Sequence, residues 1–88
     1  MYELYFTTEA KRDFKKITKS YLKDEIYKLL EILKQNPFQN PPPFKKLVGI
    51  YLGAYSRRIN IQHRLFYAVE ENTKRIKIIR MWSHYGDN

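Results

Sequence analysis

The residues of this sequence best suited to chemistry are two arginines and a histidine–tyrosine pair near the last residue. Arg58 lies in "YSRRINIQ", Arg64 lies in "HRLFYAV", and His84 and Tyr85 end the segment "RMWSHY". A guanidinium group binds phosphate through two parallel hydrogen bonds, and imidazole exchanges protons near neutral pH. These groups suit transfer of a phosphodiester in which RNA supplies its own nucleophile, the 2′-hydroxyl.

That reaction needs a base for the 2′ proton, cations for the phosphorane charge and an acid for the departing 5′ oxygen. Acid–base groups contribute about 10²–10⁴ in rate, and fixed cations contribute a comparable factor or more. Arg58 and Arg64 suit the charge role, and His84 or Tyr85 suits proton transfer. A simpler explanation also fits each of them: charged residues alternate on solvated sheet faces, and a final strand can tie down a terminal aromatic pair.

Other chemistries have no residues to carry them. The sequence has no cysteine, and its glycines (Gly49, Gly53 and Gly86) are isolated, which excludes disulfides, thiolate metal sites and a glycine-rich phosphate loop. We expect no metal and no cofactor. No apolar run reaches the ~18–20 residues of a membrane span, and the first residues do not resemble a secretory signal. We therefore expect a cytoplasmic protein with a single domain over residues 1–88.

The charge is unevenly distributed along the chain. Lysine and arginine number 17 against nine acidic residues, a net charge of +8. Residues 1–40 carry eight basic and six acidic residues, and residues 41–88 carry nine basic and three acidic ones. A surplus in one half favours a polyanionic partner, nucleic acid first and an acidic protein second.

Hydrophobic periodicity predicts an α+β domain in the order β-α-α-β-β-β-β, with two helices on one face of a twisted antiparallel sheet. A short strand is expected over 3–7 and two helices within 7–37, where Thr7 or Thr8 caps the first and Ser20 the second. Asn36-Pro37 ends the second helix. The proline-rich stretch 37–49 is predicted to be a stiff, largely extended connection.

The remaining strands are predicted around Lys46 to Tyr51 and over 54–62, 63–71 and 75–82, with a hairpin turn at 70–74. Alternation places Ile59, Ile61, Leu65, Tyr67 and Val69 towards the helices. It places Arg58 and Arg64 on the open face, where Lys77 or Arg80 would join them. Ile78-Ile79 breaks the alternation and indicates a bulge.

These residues also carry a family resemblance. The segment "KLVGIYLGAYSRRINIQHRLFYAV" followed by "RMWSHY" resembles the YoeB/Txe toxins of type II toxin–antitoxin systems, within the RelE-like superfamily. The resemblance implies a ribosome-dependent mRNA endonuclease that cuts mRNA in the ribosomal A site and halts translation. It implies that Arg64 is the catalytic arginine, that Arg58 contacts phosphate, that His84 is the general acid and that Tyr85 stacks on or orients a base.

One position departs from the family pattern. YoeB-like toxins have a glutamate, thought to be the general base, where this sequence has Lys45. An ammonium group is a poor base near neutrality unless neighbouring cations disfavour its charged form, so Lys45 is expected to act as base or as phosphate clamp. The alternative is a non-cleaving module that binds RNA, the ribosome or the antitoxin. Further phosphate contacts are expected from Lys46, Arg57 and Arg80.

The resemblance also implies partners besides mRNA and rRNA. A cognate acidic YefM-like antitoxin would fold on this chain and cover or distort the His84-Tyr85 end. Operator DNA would be reached only through the antitoxin, and a homodimer is compatible with the family.

Overall fold

The computed structural model describes residues 1–82 and places two helices on one face of a five-stranded sheet. The strands are β1 (Glu3–Phe6), β2 (Lys45–Lys46), β3 (Ala54–Arg58), β4 (Arg64–Glu70) and β5 (Arg75–Arg80); the helices are α1 (Thr8–Ile17) and α2 (Lys23–Gln35), and a 3₁₀ turn spans Gly49–Tyr51. The predicted α+β class and element order are confirmed.

The sheet is mixed rather than wholly antiparallel. Its spatial order is β1-β5-β4-β3-β2, and β1 runs parallel to β5, with Glu3 opposite Arg75 and Phe6 opposite Ile78. Hairpin-like connections impose antiparallel pairing on consecutive strands. β1 instead lies beside the last strand, so no hairpin fixes its direction. The sequence-based prediction of a purely antiparallel sheet was wrong for this reason.

Both helices begin and end close to the residues predicted for them. The Oγ1 of Thr7 accepts a hydrogen bond from the backbone N–H of Ala10 at 3.0 Å, which caps α1. Ser20 does not cap α2, whose N-cap is Leu22; the Ser20 hydroxyl accepts instead from the Leu22 N–H at 3.1 Å in the preceding turn. Asn36 leaves the helical conformation and ends α2 before Pro37, as predicted.

The main core fills the space between the helices and the inner face of the sheet. Its fully buried members include Ile17, Ile26, Leu33, Leu65, Tyr67, Ile76, Ile78 and Met81. Leu65 and Tyr67 face the helices as the alternation predicted, and Val69 packs partly buried against the same core. This packing fixes β4 and β5 and so leaves every second residue of those strands on the outer face.

The predicted bulge is present. Tyr67 pairs with Ile78 and the preceding Phe66 pairs with Arg80, so Ile79 is an extra residue on β5. Ile79 packs against a small second cluster on the outer face, formed by Leu47, Ala54 and Phe66. The outer face is therefore partly apolar rather than wholly solvated.

β3 is shorter than predicted and ends at Arg58. Residues 59–63 form a loop in which Ile59 still reaches the core while Ile61 is 85 % exposed, so the prediction that Ile61 faces the helices was wrong. Alternation holds only while the chain remains a strand. The loop ends where the backbone N–H of Ile59 donates to the His63 carbonyl at 2.8 Å.

The proline-rich segment is a turn-containing loop and not the extended connection that was predicted. The guanidinium group of Arg57 donates hydrogen bonds to three backbone carbonyls of this segment, those of Pro37 and Gln39 at 2.9 Å and that of Pro42 at 2.5 Å. One cation that binds three carbonyls within six consecutive residues requires the backbone to curve around it. The segment then leads directly into β2.

Candidate functional site

The outer face of the sheet holds a small pocket with three cationic residues in its wall. Lys45, Arg58 and Arg64 line it together with Pro43, Phe44 and Ser56, and its volume is about 90 Å³. Sites that enclose drug-sized ligands occupy about 300–1,000 Å³. A pocket of this size accepts one small group, such as a phosphate, while the rest of the ligand lies outside.

Strand register explains why residues so distant in sequence meet here. Arg58 and Arg64 are directly opposite each other on β3 and β4, and Lys45 is opposite Ser56 on β2 and β3. Opposite residues of an antiparallel pair share one face, with Cβ atoms about 4.5–5.5 Å apart. Ser56 and Arg58 are two residues apart and so also share that face. All three cations therefore converge on the outer surface.

No carboxylate neutralises this cluster within residues 1–82. The salt bridges of that part of the chain are Lys34–Glu31, Lys74–Glu71 and Arg80–Asp13. Like charges directly opposite each other on neighbouring strands are destabilising, so this arrangement carries a cost that an anion would relieve. Fixed cations around a small pocket are the arrangement that binds phosphate and stabilises charge as it develops.

The structure does not bring Lys46 into the pocket. Lys46 is opposite Tyr55 in the register of β2 and β3, so it projects from the other face of the sheet, where it is exposed. Lys45 and Lys46 are neighbours of the same type in one short strand, yet only one of them lines the pocket.

Arg57 is not a surface cation, and its prediction as a phosphate contact is corrected. Its side chain is 1 % exposed, and besides the three loop carbonyls its Nε donates to the hydroxyl of Tyr67 at 3.1 Å. The guanidinium also lies 5.0 Å from the centre of the Phe44 ring. Burial raises the pKa of Tyr67 above its usual value, although the charge of Arg57 acts in the opposite direction. Arg57 thus holds together the segment that carries three pocket residues, Pro43, Phe44 and Lys45.

Arg80 is likewise engaged elsewhere. Its Nε donates to Oδ2 of Asp13 at 2.8 Å and its Nη2 to Oδ1 at 3.3 Å. The hydrogen bond with Asp13 raises the pKa of Arg80 above its already high ordinary value. The structure therefore gives Arg80 a role in joining β5 to α1, and it does not place Arg80 in the pocket.

His84 and Tyr85 lie outside the described residues, so their predicted roles stay predictions. The described chain ends at Trp82, just beyond β5.

Lys77 lies on the outer face of the sheet, as one of the two predicted candidates for that face. It is exposed on β5, and its register partner Ala68 alternates with Phe66 and Arg64 on the outer face.

Three pocket residues, Pro43, Phe44 and Ser56, were missed by sequence reasoning. Phe44 packs against Phe38 and Tyr55, each with ring centres 5.9 Å apart, and presents part of its surface to the pocket. A phenylalanine after three prolines gives no signal of its own. Ser56 could have been predicted to lie beside Arg58, because residues two positions apart in one strand face the same side.

A much larger groove lies on the helical side of the sheet. It is bounded by β1, α1 and α2, has a volume of about 940 Å³, and is mostly apolar, with Leu4, Phe6, Phe14, Tyr27 and Leu30 in its walls. Lysines 11, 15 and 34 and glutamates 3 and 31 also line it. Its position on the other side of the sheet separates it from the pocket.

Two features are absent from the part of the chain that the structure describes. No group of three or more histidine or acidic side chains in residues 1–82 is arranged to hold a metal ion. No helix in the same part of the chain is long and apolar enough to cross a membrane.

Comparison with known proteins identifies the family. A family model described as the YoeB-like toxin of bacterial type II toxin–antitoxin systems matches residues 6–85, which is nearly the whole chain. The chain belongs to the YoeB family of toxins. The match includes Lys45, Arg58 and Arg64, and it extends over His84 and Tyr85.

Solved structures agree with this assignment. A YoeB/ParE toxin from Agrobacterium tumefaciens is 27 % identical, superposes with a TM-score of 0.86, and the alignment covers 94 % of this chain and 99 % of that one. YoeB in a heterotetrameric YoeB–YefM complex from Staphylococcus aureus is 32 % identical with a TM-score of 0.80, covering 97 % and 99 %. A YoeB dimer from the same organism is 31 % identical with a TM-score of 0.81, covering 96 % and 98 %.

More distant structures share the fold alone. A mutant of YafQ from E. coli is 16 % identical with a TM-score of 0.80, covering 96 % of this chain and 94 % of that one. Comparison with curated proteins gave no match.

Proposed function

We propose that this YoeB-family toxin is an endoribonuclease that cuts mRNA in the ribosomal A site and thereby halts translation. The observation that supports it is the convergence of Lys45, Arg58 and Arg64, without a neutralising carboxylate in residues 1–82, on a pocket of about 90 Å³. The proposed site of action is the cytoplasm, where ribosomes translate mRNA.

The proposed reaction is an in-line transfer within the RNA. The 2′-oxygen attacks the adjacent phosphorus and loses its proton to a base, while the bond from phosphorus to the 5′-oxygen breaks and that oxygen gains a proton. The products are a 2′,3′-cyclic phosphate and a 5′-hydroxyl. Arg64 and Arg58 are proposed to hold the negative charge of the phosphorane, because guanidinium groups bind two of its oxygens at once.

The proton-transfer groups are assigned as follows. His84 is proposed to be the general acid, and Tyr85 is proposed to stack on or orient a base, a contact worth about 1–3 kcal/mol. The family resemblance puts Lys45 at the place of a glutamate, and no carboxylate among residues 1–82 lines the pocket. Lys45 is therefore proposed to accept the 2′ proton or to clamp the phosphate.

The decisive experiment is cleavage of a defined mRNA on purified ribosomes, compared among the native chain, Lys45→Met, Lys45→Glu and Arg64→Ala. Lys46→Met is the matched control, since Lys46 neighbours Lys45 but projects from the other face. We expect cleavage by the native chain and by Lys46→Met, and losses of about 10²-fold or more in Lys45→Met and Arg64→Ala. A 2′-deoxy substitution at the scissile nucleotide should abolish cleavage.

The same experiment separates the second candidate function. The lack of a carboxylate in that part of the pocket wall which residues 1–82 form favours a module that binds RNA or the ribosome without cutting it. That function requires the native chain to bind ribosomes, with an affinity that falls steeply as salt rises, and to leave the mRNA intact. Cleavage that appears only in Lys45→Glu would establish this alternative and refute the lysine as base.

We also propose a cognate acidic, YefM-like antitoxin as the protein partner. A YoeB from Staphylococcus aureus is described in complex with YefM. In this chain the apolar groove between β1, α1 and α2, lined by three lysines and two glutamates, suits an amphipathic segment of an acidic partner that folds on binding. Operator DNA would then be contacted through the antitoxin, and a homodimer is proposed by analogy with the dimeric relative.

A further inference from the structure

Met81 and Trp82, the two residues that follow β5, are held by several contacts immediately before the segment that carries His84. The side chain of Met81 is completely buried, and its backbone N–H donates to Oδ2 of Asp13 at 3.1 Å. One residue later, the carbonyl oxygen of Trp82 lies 2.8 Å from Nδ1 of His63. The imidazole ring also stacks on the indole ring, with centres 4.3 Å apart and an interplanar angle of 18°.

The loop between β3 and β4 is built to present His63 in this position. The side-chain oxygen of Asn60 accepts hydrogen bonds from the backbone N–H groups of Gln62 at 2.9 Å and His63 at 2.7 Å. The backbone N–H of Asn60 donates in turn to the His63 carbonyl at 3.2 Å. A loop closed by these bonds holds the imidazole with little freedom to move.

The partner atom determines which nitrogen carries the proton. A carbonyl oxygen only accepts hydrogen bonds, so Nδ1 of His63 must be the donor. This bond and the ring stack are two separable interactions on one side chain.

His63 immediately precedes Arg64, the proposed catalytic arginine. The last residue of the loop and the first residue of β4 thus hold, side by side, the anchor at Trp82 and a cation of the pocket. The chain leads from Trp82, two residues later, to the proposed general acid. Displacement of a catalytic group by about 1 Å costs on the order of 10²-fold in rate. Because His63 and Arg64 are adjacent, holding the chain at Trp82 through His63 limits how far it can move relative to Arg64.

We propose that His63 is a positioning residue of this toxin: it fixes the chain at Trp82 relative to Arg64, ahead of the segment that carries the proposed general acid His84. This inference rests on the proposed nuclease function. His63 contacts neither the scissile phosphate nor the attacking oxygen in this scheme.

Two substitutions separate the hydrogen bond of His63 to Trp82 from its ring stack. His63→Asn keeps a side-chain N–H on the γ-carbon, where it can donate to the Trp82 carbonyl, but it lacks the ring. His63→Phe keeps an aromatic ring for stacking but removes the donor. Gln62→Ala is the matched control from the same loop, because Gln62 is exposed and contributes its backbone N–H, which alanine retains.

The readouts are ribosome-dependent cleavage kinetics and the fluorescence of Trp82, which is the only tryptophan of the chain. We expect kcat to fall about 10–100-fold in His63→Phe, with KM changed less than about threefold. His63→Asn should recover most of that rate. The quenching of Trp82 by acrylamide should increase in His63→Asn, which lacks the stacked ring, and remain near native in His63→Phe.

The outcomes distinguish failure of this inference from failure of the proposed function. If the native chain does not cleave mRNA, the proposed function fails and the positioning role fails with it. If the native chain cleaves and His63→Phe cleaves equally well, only the positioning role is refuted. A fall in kcat that His63→Asn does not relieve, or that follows the loss of folded protein in urea titrations, also refutes it.

Discussion

At the scale of single residues, Arg57 and Arg58 show how far the roles of two adjacent side chains can diverge. Arg58 is exposed and lines the pocket, whereas Arg57 is 1 % exposed and binds three carbonyls and a tyrosine hydroxyl. Both are cations in one strand, so composition does not distinguish them. They are distinguished by the alternation of side chains along β3, which turns adjacent residues to opposite faces of the sheet.

The sequence contained the information that separates these two arginines. Alternation placed Ile59 towards the helices, and a residue two positions earlier in the same strand must face the same way. Arg57 was nevertheless predicted to contact phosphate, although arginines are seldom buried unless they are paired. The hydrogen-bond partners of Arg57 could not be predicted. They are backbone carbonyls of a proline-rich loop, and residue types do not indicate which carbonyls lie near a given side chain.

The buried position of Arg57 makes a prediction about stability. Arg57→Lys should lower the free energy of unfolding by about 3 kcal/mol, because a single ammonium group cannot reach three carbonyls and the tyrosine hydroxyl, and unpaired buried polar groups are costly. Urea unfolding measures this change. Arg58→Lys, at the exposed neighbouring position, should change stability by less than about 0.5 kcal/mol. Equal effects of the two substitutions would contradict the buried role.

At the scale of elements, the structure depends on contacts that link α1 to the end of β5. Asp13 lies on the buried face of α1 and is only 3 % exposed, yet it accepts hydrogen bonds from Arg80 and from the backbone N–H of Met81. Hydrophobic periodicity correctly predicted a helix whose apolar residues pack on one face of the sheet. It gave no reason to place a carboxylate among them, because the partner that satisfies Asp13 is 67 residues away in sequence.

Asp13→Asn should therefore weaken the attachment of β5 to α1. We expect a loss of about 2 kcal/mol in the free energy of unfolding. The hydrogen bonds of Arg80 would then go to an uncharged acceptor, and an amide has one accepting oxygen where the carboxylate of Asp13 has two. The quenching of Trp82 fluorescence by acrylamide should rise as well, because Trp82 directly follows Met81.

Glu31→Gln provides the comparison for Asp13. Glu31 pairs with Lys34 at 3.9 Å on the exposed side of α2, and exposed pairs of this kind contribute about 0–1 kcal/mol. If Asp13→Asn is no more destabilising than Glu31→Gln, the contact between α1 and β5 contributes no more to stability than a surface ion pair.

At the scale of the whole molecule, the two faces of the sheet carry different surfaces. The outer face has the small cationic pocket, and the helical side has the large apolar groove, which lysines 11, 15 and 34 and glutamates 3 and 31 also line. The sequence predicted the basic surplus and the layer order, and from them the outer cationic face. The groove depends on the place of β1 beside β5, which local patterns did not reveal.

This separation predicts that cleavage and antitoxin binding can be altered independently. Tyr27 lines the groove and is 48 % exposed. Tyr27→Glu should weaken binding of an acidic antitoxin about tenfold or more, through the loss of an apolar contact and the repulsion of like charges. Ribosome-dependent cleavage should remain within about twofold of native, because the pocket lies on the other face.

Lys28→Glu is the matched control, since Lys28 is the next residue of α2, is exposed and does not line the groove. It changes the net charge by more than Tyr27→Glu does, so a general effect of charge would appear in it more strongly. Calorimetric titration with the antitoxin and cleavage on ribosomes measure the two properties. Arg64→Ala should give the converse pattern, with cleavage lost and antitoxin binding kept; if either substitution abolished both activities, the two faces would not act separately.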